Sequence, residues 1–122
     1  MRIPIRYALA YPKRLKVKNE ETDLYKLGPL NFYKPDFNKF PCLELAYRAA
    51  SQMGCEPAVL NAANEVGVEA FLKRRLDFIL IPKVIDKVLS RHRNIKRPGL
   101  EDILEADACA RSQAHKVISG LN

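Results

Sequence analysis

The stretch IPKVIDKVLSRH, residues 81–92, decides the fold class of this chain, because its apolar residues recur with the period of an α-helix. The residues of one helical face occupy positions i, i+3, i+4, i+7, i+8 and i+11, namely Ile81, Val84, Ile85, Val88, Leu89 and His92. A stripe of this width buries one side of a helix against neighbouring elements. The stretch therefore predicts an amphipathic helix that packs in a helical core.

Further helices are predicted on both sides of this one. FPCLELAYRAASQMG begins with Pro41 near its start and ends at Gly54, and PAVLNAANEVGVEAFLKRR has Pro57 in its first turn. After the breaker RPG, LEDIL predicts a short helical turn, and a final helix is predicted to begin with Asp107 as its N-cap. Because the connections are short, we expect a mainly α fold with an antiparallel helical bundle over residues 37–122.

The N-terminal third of the chain has a different pattern of apolar and charged residues. RIPIRYALAYP predicts a short helix over residues 1–12, and residues 13–36 have no helical apolar period. Within them LNFY, residues 30–33, is β-prone and bounded by prolines, which predicts one short edge strand. We interpret residues 13–36 as an extended linker that lies on another part of a protein.

Three polar residues interrupt the apolar face of the helix predicted after Pro57. Asn61, Asn64 and Glu65 form a cluster near the N-terminus of that helix, where a carboxylate is favoured by the helix dipole. One carboxylate and two amides are a poor metal set, so a structural polar joint to the linker is favoured over a ligand site. As a joint, Asn61 and Glu65 should be at least half buried and bond the backbone of residues 30–41.

Composition bounds the function without naming it. The net charge of the chain is +7, and +4 of it lies in residues 1–36. This positive charge permits binding to phosphates or nucleic acid. Because the sequence contains no nucleic-acid-binding motif, we favour solvated basic residues over an RNA-binding domain. The chain has no apolar run long enough for a membrane span and no signal-peptide pattern, and its three cysteines form no CxxC pair. We therefore expect a cytoplasmic protein with reduced thiols.

No catalytic motif emerges from the residues themselves. The chain lacks a glycine-rich phosphate loop, a zinc-protease helix and a nucleophile elbow. His92 and His115 are far apart in the chain, and neither has a carboxylate or a cysteine at ligand spacing. We expect His92 to be packed or stabilised at a helix C-terminus rather than catalytic.

Several longer stretches nevertheless resemble one enzyme family. MRIPIRYALAYPKRL, DLYKLGPLNFYKPDFNKFPCLELAYRAA, PAVLNAANEVGVEAFL and LEADACAR closely resemble the C-terminal part of the 1-deoxy-D-xylulose 5-phosphate reductoisomerases, in the same order and with similar spacing. The resemblance extends from residue 1 to about residue 112. Gly67 departs from the pattern, because the family usually has alanine or another apolar residue there.

The resemblance implies a role in an NADPH-dependent enzyme of non-mevalonate isoprenoid synthesis that uses Mg²⁺ or Mn²⁺ and is a homodimer. Residues 1–12 match the end of its catalytic domain, residues 13–36 its linker and residues 37–122 its helical bundle. The family's NADPH, metal and catalytic residues lie upstream of the matching segment, so none is carried over; Met1 matches a position beside the substrate pocket. The expected partners are therefore the missing NADPH-binding and catalytic domains.

On this interpretation the chain is a C-terminal fragment that is structural, has no cofactor of its own and is inactive alone. The alternative is a free-standing helical module that binds another protein. We expect no nucleic acid and no membrane as partners. If the source were a eukaryote, a plastid would replace the cytoplasm as the expected compartment.

Overall fold

The computed structural model describes residues 2–15, 23 and 25–121, and it divides the chain into two compact units, Met1–Lys34 and Pro35–Asn122. The first unit contains helix α1, Arg2–Ala10. The second contains the other elements, which are α2 (Pro41–Gln52), α3 (Glu56–Leu72), a single 3₁₀ turn (Phe78–Leu80), α4 (Ile81–Arg91) and α5 (Leu100–Ser119). The predicted mainly α fold is confirmed.

Proline sets the start of three helices in the second unit. Pro41, Pro57 and Pro82 lie in the first turns of α2, α3 and α4. A proline is tolerated there because the first backbone N–H groups of a helix have no intrahelical partner, and its fixed φ suits helical geometry. The positions at which these helices begin are therefore determined by the local sequence.

The turn between α2 and α3 requires glycine at position 54. Met53 and Gly54 both have positive φ, 57° and 64°. A Cβ on Gly54 would collide with the backbone carbonyl of Ile95 and the side chain of Asn94. Two of the connections of the bundle, α2–α3 and α4–α5, thus approach each other more closely than a side chain at position 54 would permit.

Helix α3 is the centre of the bundle and packs against α2, α4 and α5. The buried residues of α3 and α5 are mostly small, which allows the two helix backbones to lie close together, whereas α4 contributes branched side chains. The most deeply buried residues of this core are Cys55, Val59, Ala62, Ala63, Val84, Val88 and Ala114. The stripe predicted over 81–92 is buried from Ile81 to Leu89, as its periodicity requires.

Two predicted details of the fold are wrong. Residues 30–33 form no strand in the described structure; they are extended and exposed, because an edge strand needs a neighbouring strand to pair with and the described residues contain none. Asp107 is not an N-cap, because α5 runs unbroken from Leu100 through it. No glycine or proline interrupts residues 100–107, so nothing ends the first turn.

The true start of α5 is held by Asp102. Its Oδ2 accepts a hydrogen bond of 2.8 Å from the backbone N–H of Gly99, the residue that precedes the helix. A carboxylate in the first turn is also favoured by the helix dipole. Among the described residues, none of the helices is both long and apolar enough to cross a membrane.

Candidate functional site

The structure separates the three polar residues that the sequence groups on α3. Asn61 and Glu65 are exposed on the side that faces α5, and Asn64 is partly buried in a different cleft. Asn61 Nδ2 donates to Glu65 Oε1 at 3.1 Å. The expectation that Asn61 and Glu65 are at least half buried is therefore wrong, because this part of α3 lies at the rim of the bundle.

Glu65 joins α3 to α5 through an arginine that the sequence analysis did not single out. Arg111 Nη2 donates to Glu65 Oε2 at 2.7 Å, and Arg111 Nε donates to Asp107 Oδ2 at 2.7 Å. One guanidinium thus binds a carboxylate on its own helix and another on α3, a geometry that its fork of donors suits. Asp107 serves this pair instead of capping a helix.

The Glu65 carboxylate and the Arg111 guanidinium each favour the charged form of the other. The hydrogen bond from Arg111, followed by that from Asn61, holds the pKa of Glu65 below its ordinary value. The hydrogen bonds to Asp107 and Glu65 raise the pKa of Arg111. A carboxylate that stays ionised beside a guanidinium is a poor general acid at neutral pH. The hydrogen bonds of Arg111 therefore connect α3 with α5, and a structural role for the cluster stays a prediction.

Whether the cluster also anchors the linker stays a prediction. The hydrogen bonds described above for Asn61 and Glu65 stay within the bundle and run to each other and to Arg111. Residues 1–34 belong to the other unit of the chain. Met1, predicted as a neighbour of the substrate pocket, lies outside the described residues.

Asn64 lines a cleft of about 420 Å³ at the start of α2. The cleft is walled by Lys39 and Phe40 before α2, by Val68 on α3, and by Phe78 and Ile79 of the 3₁₀ turn. Its lining is mostly apolar, with Asn38, Lys39 and Asn64 as polar groups. This mixture suits an apolar group with a few polar contacts better than it suits a charged cofactor.

The remaining titratable groups do not assemble a metal site in the part of the chain that the structure describes. No group of three or more His, Cys, Asp or Glu residues there is placed to hold an ion. Cys55 is buried, whereas Cys42 and Cys109 are exposed and all three are free thiols. Although Cys42 reaches the solvent, the atoms packed around its sulfur desolvate the thiol and raise its pKa, which makes it a weak nucleophile at neutral pH.

His92 lies at the C-terminal end of a helix, where the sequence analysis placed it. His92 is the residue that follows α4, is partly buried, and its Nε2 has no hydrogen-bond partner among the described residues. His115 lies on the surface of α5, close enough to Glu69 to help lower the pKa of that carboxylate, although the hydrogen bond from Lys73 has the larger effect. Neither histidine is paired with a nucleophile.

Two residues that matter for this structure were missed by sequence reasoning. The first is Arg111, which is 46 positions from its partner Glu65, so no local spacing indicates their contact. Only the i,i+4 spacing of Asp107 and Arg111 can be read from the sequence. The second is Asn94. Asn94 accepts a hydrogen bond from the N–H of Cys55 at 3.0 Å and donates one to the carbonyl of Met53 at 3.1 Å. A loop asparagine gives no sequence signal for such a long-range contact.

Comparison with known proteins places this arrangement in one family. The family model of the DXP reductoisomerase C-terminal domain matches residues 1–113. The 1-deoxy-D-xylulose 5-phosphate reductoisomerase of Halothermothrix orenii is 49% identical over 117 residues, 96% of this chain and 30% of that protein. The enzyme of the same name from Pelotomaculum thermopropionicum is 50% identical over 121 residues, 99% of this chain and 31% of that protein.

Solved structures agree with the sequence comparison. The reductoisomerase from Zymomonas mobilis, in complex with NADPH, superposes with a TM-score of 0.80 at 39% identity, covering 96% of this chain and 31% of that one. A reductoisomerase in complex with NADPH, fosmidomycin and magnesium superposes with a TM-score of 0.77 at 38% identity, covering 98% of this chain and 31% of that one. The chain spans about 30% of the length of the curated relatives it matches.

Proposed function

Since the chain belongs to the DXP reductoisomerase C-terminal domain family, we propose that it serves as the C-terminal helical part of a 1-deoxy-D-xylulose 5-phosphate reductoisomerase. In that role it supports the NADPH-dependent conversion of 1-deoxy-D-xylulose 5-phosphate to 2-C-methyl-D-erythritol 4-phosphate. The observation that carries the proposal is the match of the family model over residues 1–113. The superposition over 96% of the chain supports it independently.

The residues of this chain do not fit the cofactors of the enzyme. NADPH needs a glycine-rich turn at a helix N-terminus, and Mg²⁺ or Mn²⁺ needs several acidic oxygens together. The sequence contains no glycine-rich phosphate motif, and the described residues bring no such acidic group together. The reductoisomerase structures that contain NADPH and magnesium are about three times as long as this chain, so we assign those sites to the remaining two thirds.

The contribution of this chain is therefore structural. We infer that residues 1–12 complete the catalytic domain, that residues 13–36 link it to the bundle, and that residues 37–122 form a rigid helical domain. Alone, the chain should not turn over the substrate. The complete enzyme is proposed to be a homodimer, and the cytoplasm stays the predicted compartment.

A chimera tests the proposal directly. Residues 1–122 would replace the corresponding C-terminal part of the Halothermothrix orenii enzyme, and NADPH oxidation would be measured with 1-deoxy-D-xylulose 5-phosphate and Mn²⁺. We expect the chimera to be active, and neither the upstream part alone nor this chain alone to exceed a blank. An inactive but folded chimera would refute the proposed role, and turnover by the chain alone would refute its assignment as structural.

A matched pair of variants separates folding from chemistry in that chimera. Val84 is fully buried, so Val84→Asp should unfold the bundle and remove activity. Leu104 is exposed on α5, so Leu104→Asp should leave the activity intact. Equal activity of both variants would show that the bundle is dispensable for the reaction.

A further inference from the structure

The short 3₁₀ turn before α4 exposes two large apolar side chains. Phe78 and Ile79 are 68% and 76% exposed, whereas Leu76 before them and Ile81 after them are buried in the core. The turn is thus fixed to the core at both ends and presents its middle residues to the surface. Large apolar side chains held outward by a well-anchored turn are typical of a contact surface.

These two residues belong to a larger surface, which we call the apolar strip and define as Phe71, Phe78, Ile79, Phe40 and Tyr47. The rings of Phe71 and Phe78 are in edge contact, with 5.6 Å between their centroids. Ile79 lines both the cleft that contains Asn64 and Phe40 and a broader cleft between α2 and α4 that contains Tyr47. The strip is therefore continuous from the C-terminal part of α3, across the turn, to α2.

The residue composition of the strip is typical of the core of a protein–protein interface. Four of its five residues are aromatic, and all five are exposed. Aromatic residues are enriched where proteins bind each other, and a few of them commonly supply most of the binding energy. Around it lie Lys39, Arg48 and Lys83 together with Glu44 and Asp86, so the rim carries charges of both signs. The surface fits a partner with apolar side chains at its centre and polar or charged groups around them.

We propose that the apolar strip is the surface on which the upstream part of the reductoisomerase packs against this helical domain. This inference rests on the proposed function. The chain spans about 30% of its relatives, so roughly two thirds of such a polypeptide lies outside the structure. The matching family model is that of the C-terminal domain, which places this remainder before the bundle in the chain. A covalently attached partner is present at high effective concentration, so a strip of this size suffices to hold it.

Side-chain footprinting tests the proposal on the full chain and the chimera described above. Hydroxyl-radical labelling would be measured for Phe78 and Ile79, with Leu100 and Leu104 of α5 as exposed apolar controls. Burial in an interface excludes the label, so labelling of Phe78 and Ile79 should fall by about fivefold or more in the chimera. Labelling of Leu100 and Leu104 should stay unchanged.

A pair of variants provides the energetic test in the same chimera. Ile79→Asp should lower its thermal midpoint and increase proteolysis between the two parts, whereas Leu104→Asp should leave both unchanged. In the free chain both variants should keep the wild-type circular dichroism, because both positions are exposed. Equal midpoints of the two chimeric variants would overturn the proposal.

The outcomes separate this inference from the proposed function. An active chimera with unchanged labelling of Phe78 and Ile79 would overturn only the placement of the interface. A folded, inactive chimera would overturn the proposed function, whatever the labelling. Light scattering of the free chain gives the last outcome: a dimer that Ile79→Asp dissociates would assign the strip to a second copy and overturn the proposal.

Discussion

Asn94 connects two distant parts of the bundle with the two ends of one amide. Its oxygen accepts from the N–H of Cys55 and its nitrogen donates to the carbonyl of Met53, so it holds the α2–α3 turn against the α4–α5 connection. Asn94→Ala should lower the free energy of unfolding by about 1–3 kcal/mol, because it leaves the N–H of the fully buried Cys55 without its partner. Urea denaturation of the full chain measures this difference.

Asn61→Ala is the matched control for that substitution. Asn61 is also an asparagine, but it is exposed and its amide bonds Glu65 at the surface. Its replacement should change stability by less than roughly 0.5 kcal/mol. If both alanine variants unfolded at the same urea concentration, the Asn94 contacts would have no special role.

The ion pair between Glu65 and Arg111 predicts a pH dependence. The pKa of Glu65 is lower in the folded chain than its ordinary value of 4.5, mainly through the hydrogen bond from Arg111. A lowered pKa stabilises the fold above the ordinary value, and this contribution is lost as the pH falls through the lowered one. Glu65→Gln should therefore reduce stability at pH 7 and have progressively less effect in acid.

The expected size of the Glu65 effect is small, because both side chains are substantially exposed, and it should shrink further in high salt. Glu105→Gln, at an exposed position on α5, serves as the control. Unfolding midpoints would be measured for the three proteins between neutral and acid pH. A stability difference for Glu65→Gln that grew on acidification would contradict the assigned pairing.

At the scale of elements, two glycines with different surroundings give opposite predictions. Gly54 has a φ of +64°, and a Cβ there would collide with the carbonyl of Ile95. Gly67 is inside α3, and the nearest atom that a Cβ there would meet is Ile81 Cγ2, at an ordinary contact distance of 3.4 Å. Gly54→Ala should destabilise the chain by more than about 1 kcal/mol.

Gly67→Ala should instead stabilise the chain by up to about 1 kcal/mol, because alanine is the better helix former. Thermal or urea unfolding of the two variants checks both signs. A destabilised Gly67→Ala would show that α3 and α4 approach too closely for a methyl group.

The elements themselves were largely predictable, and the two errors have physical causes. Pro41, Pro57 and the stripe over 81–92 marked α2, α3 and α4, since these signals act through local backbone geometry. The prediction of a strand over residues 30–33 was wrong because β-propensity mainly reflects packing against a neighbouring strand, and the described residues contain none. The predicted start of a helix at Asp107 was wrong because an aspartate acts as an N-cap only where the preceding residues are not already helical, and α5 begins at Leu100.

For the molecule as a whole, periodicity predicted the bundle but not its contact surface. The general preference of apolar residues for the core would bury Phe78 and Ile79, and only the three-dimensional path of the 3₁₀ turn shows them outside. Asn61 and Glu65 were singled out from the sequence, but Arg111, which binds Glu65, was not, and Asn64 lies in a different cleft. Contacts between residues far apart in the chain require the fold to be known first.

The distribution of burial across the chain gives the last prediction. Every buried core residue of the described chain lies between Leu45 and Ile118, and none of the described residues in 3–34 is buried. Ordering a residue costs about 1–2 kcal/mol of backbone entropy, which only burial and hydrogen bonding can offset. A chain of residues 35–122 should therefore unfold at the same urea concentration as the full chain, with a difference below roughly 0.5 kcal/mol.

Limited proteolysis of the full chain provides the matching kinetic measurement. Residues 1–34 should be trimmed first and leave a resistant helical product that begins near Pro35, the start of the second unit. The released bundle should keep the helical circular dichroism expected from α2 to α5. Equal protection of both units, together with a less stable 35–122 chain, would show that residues 1–34 contribute to the stability of the bundle.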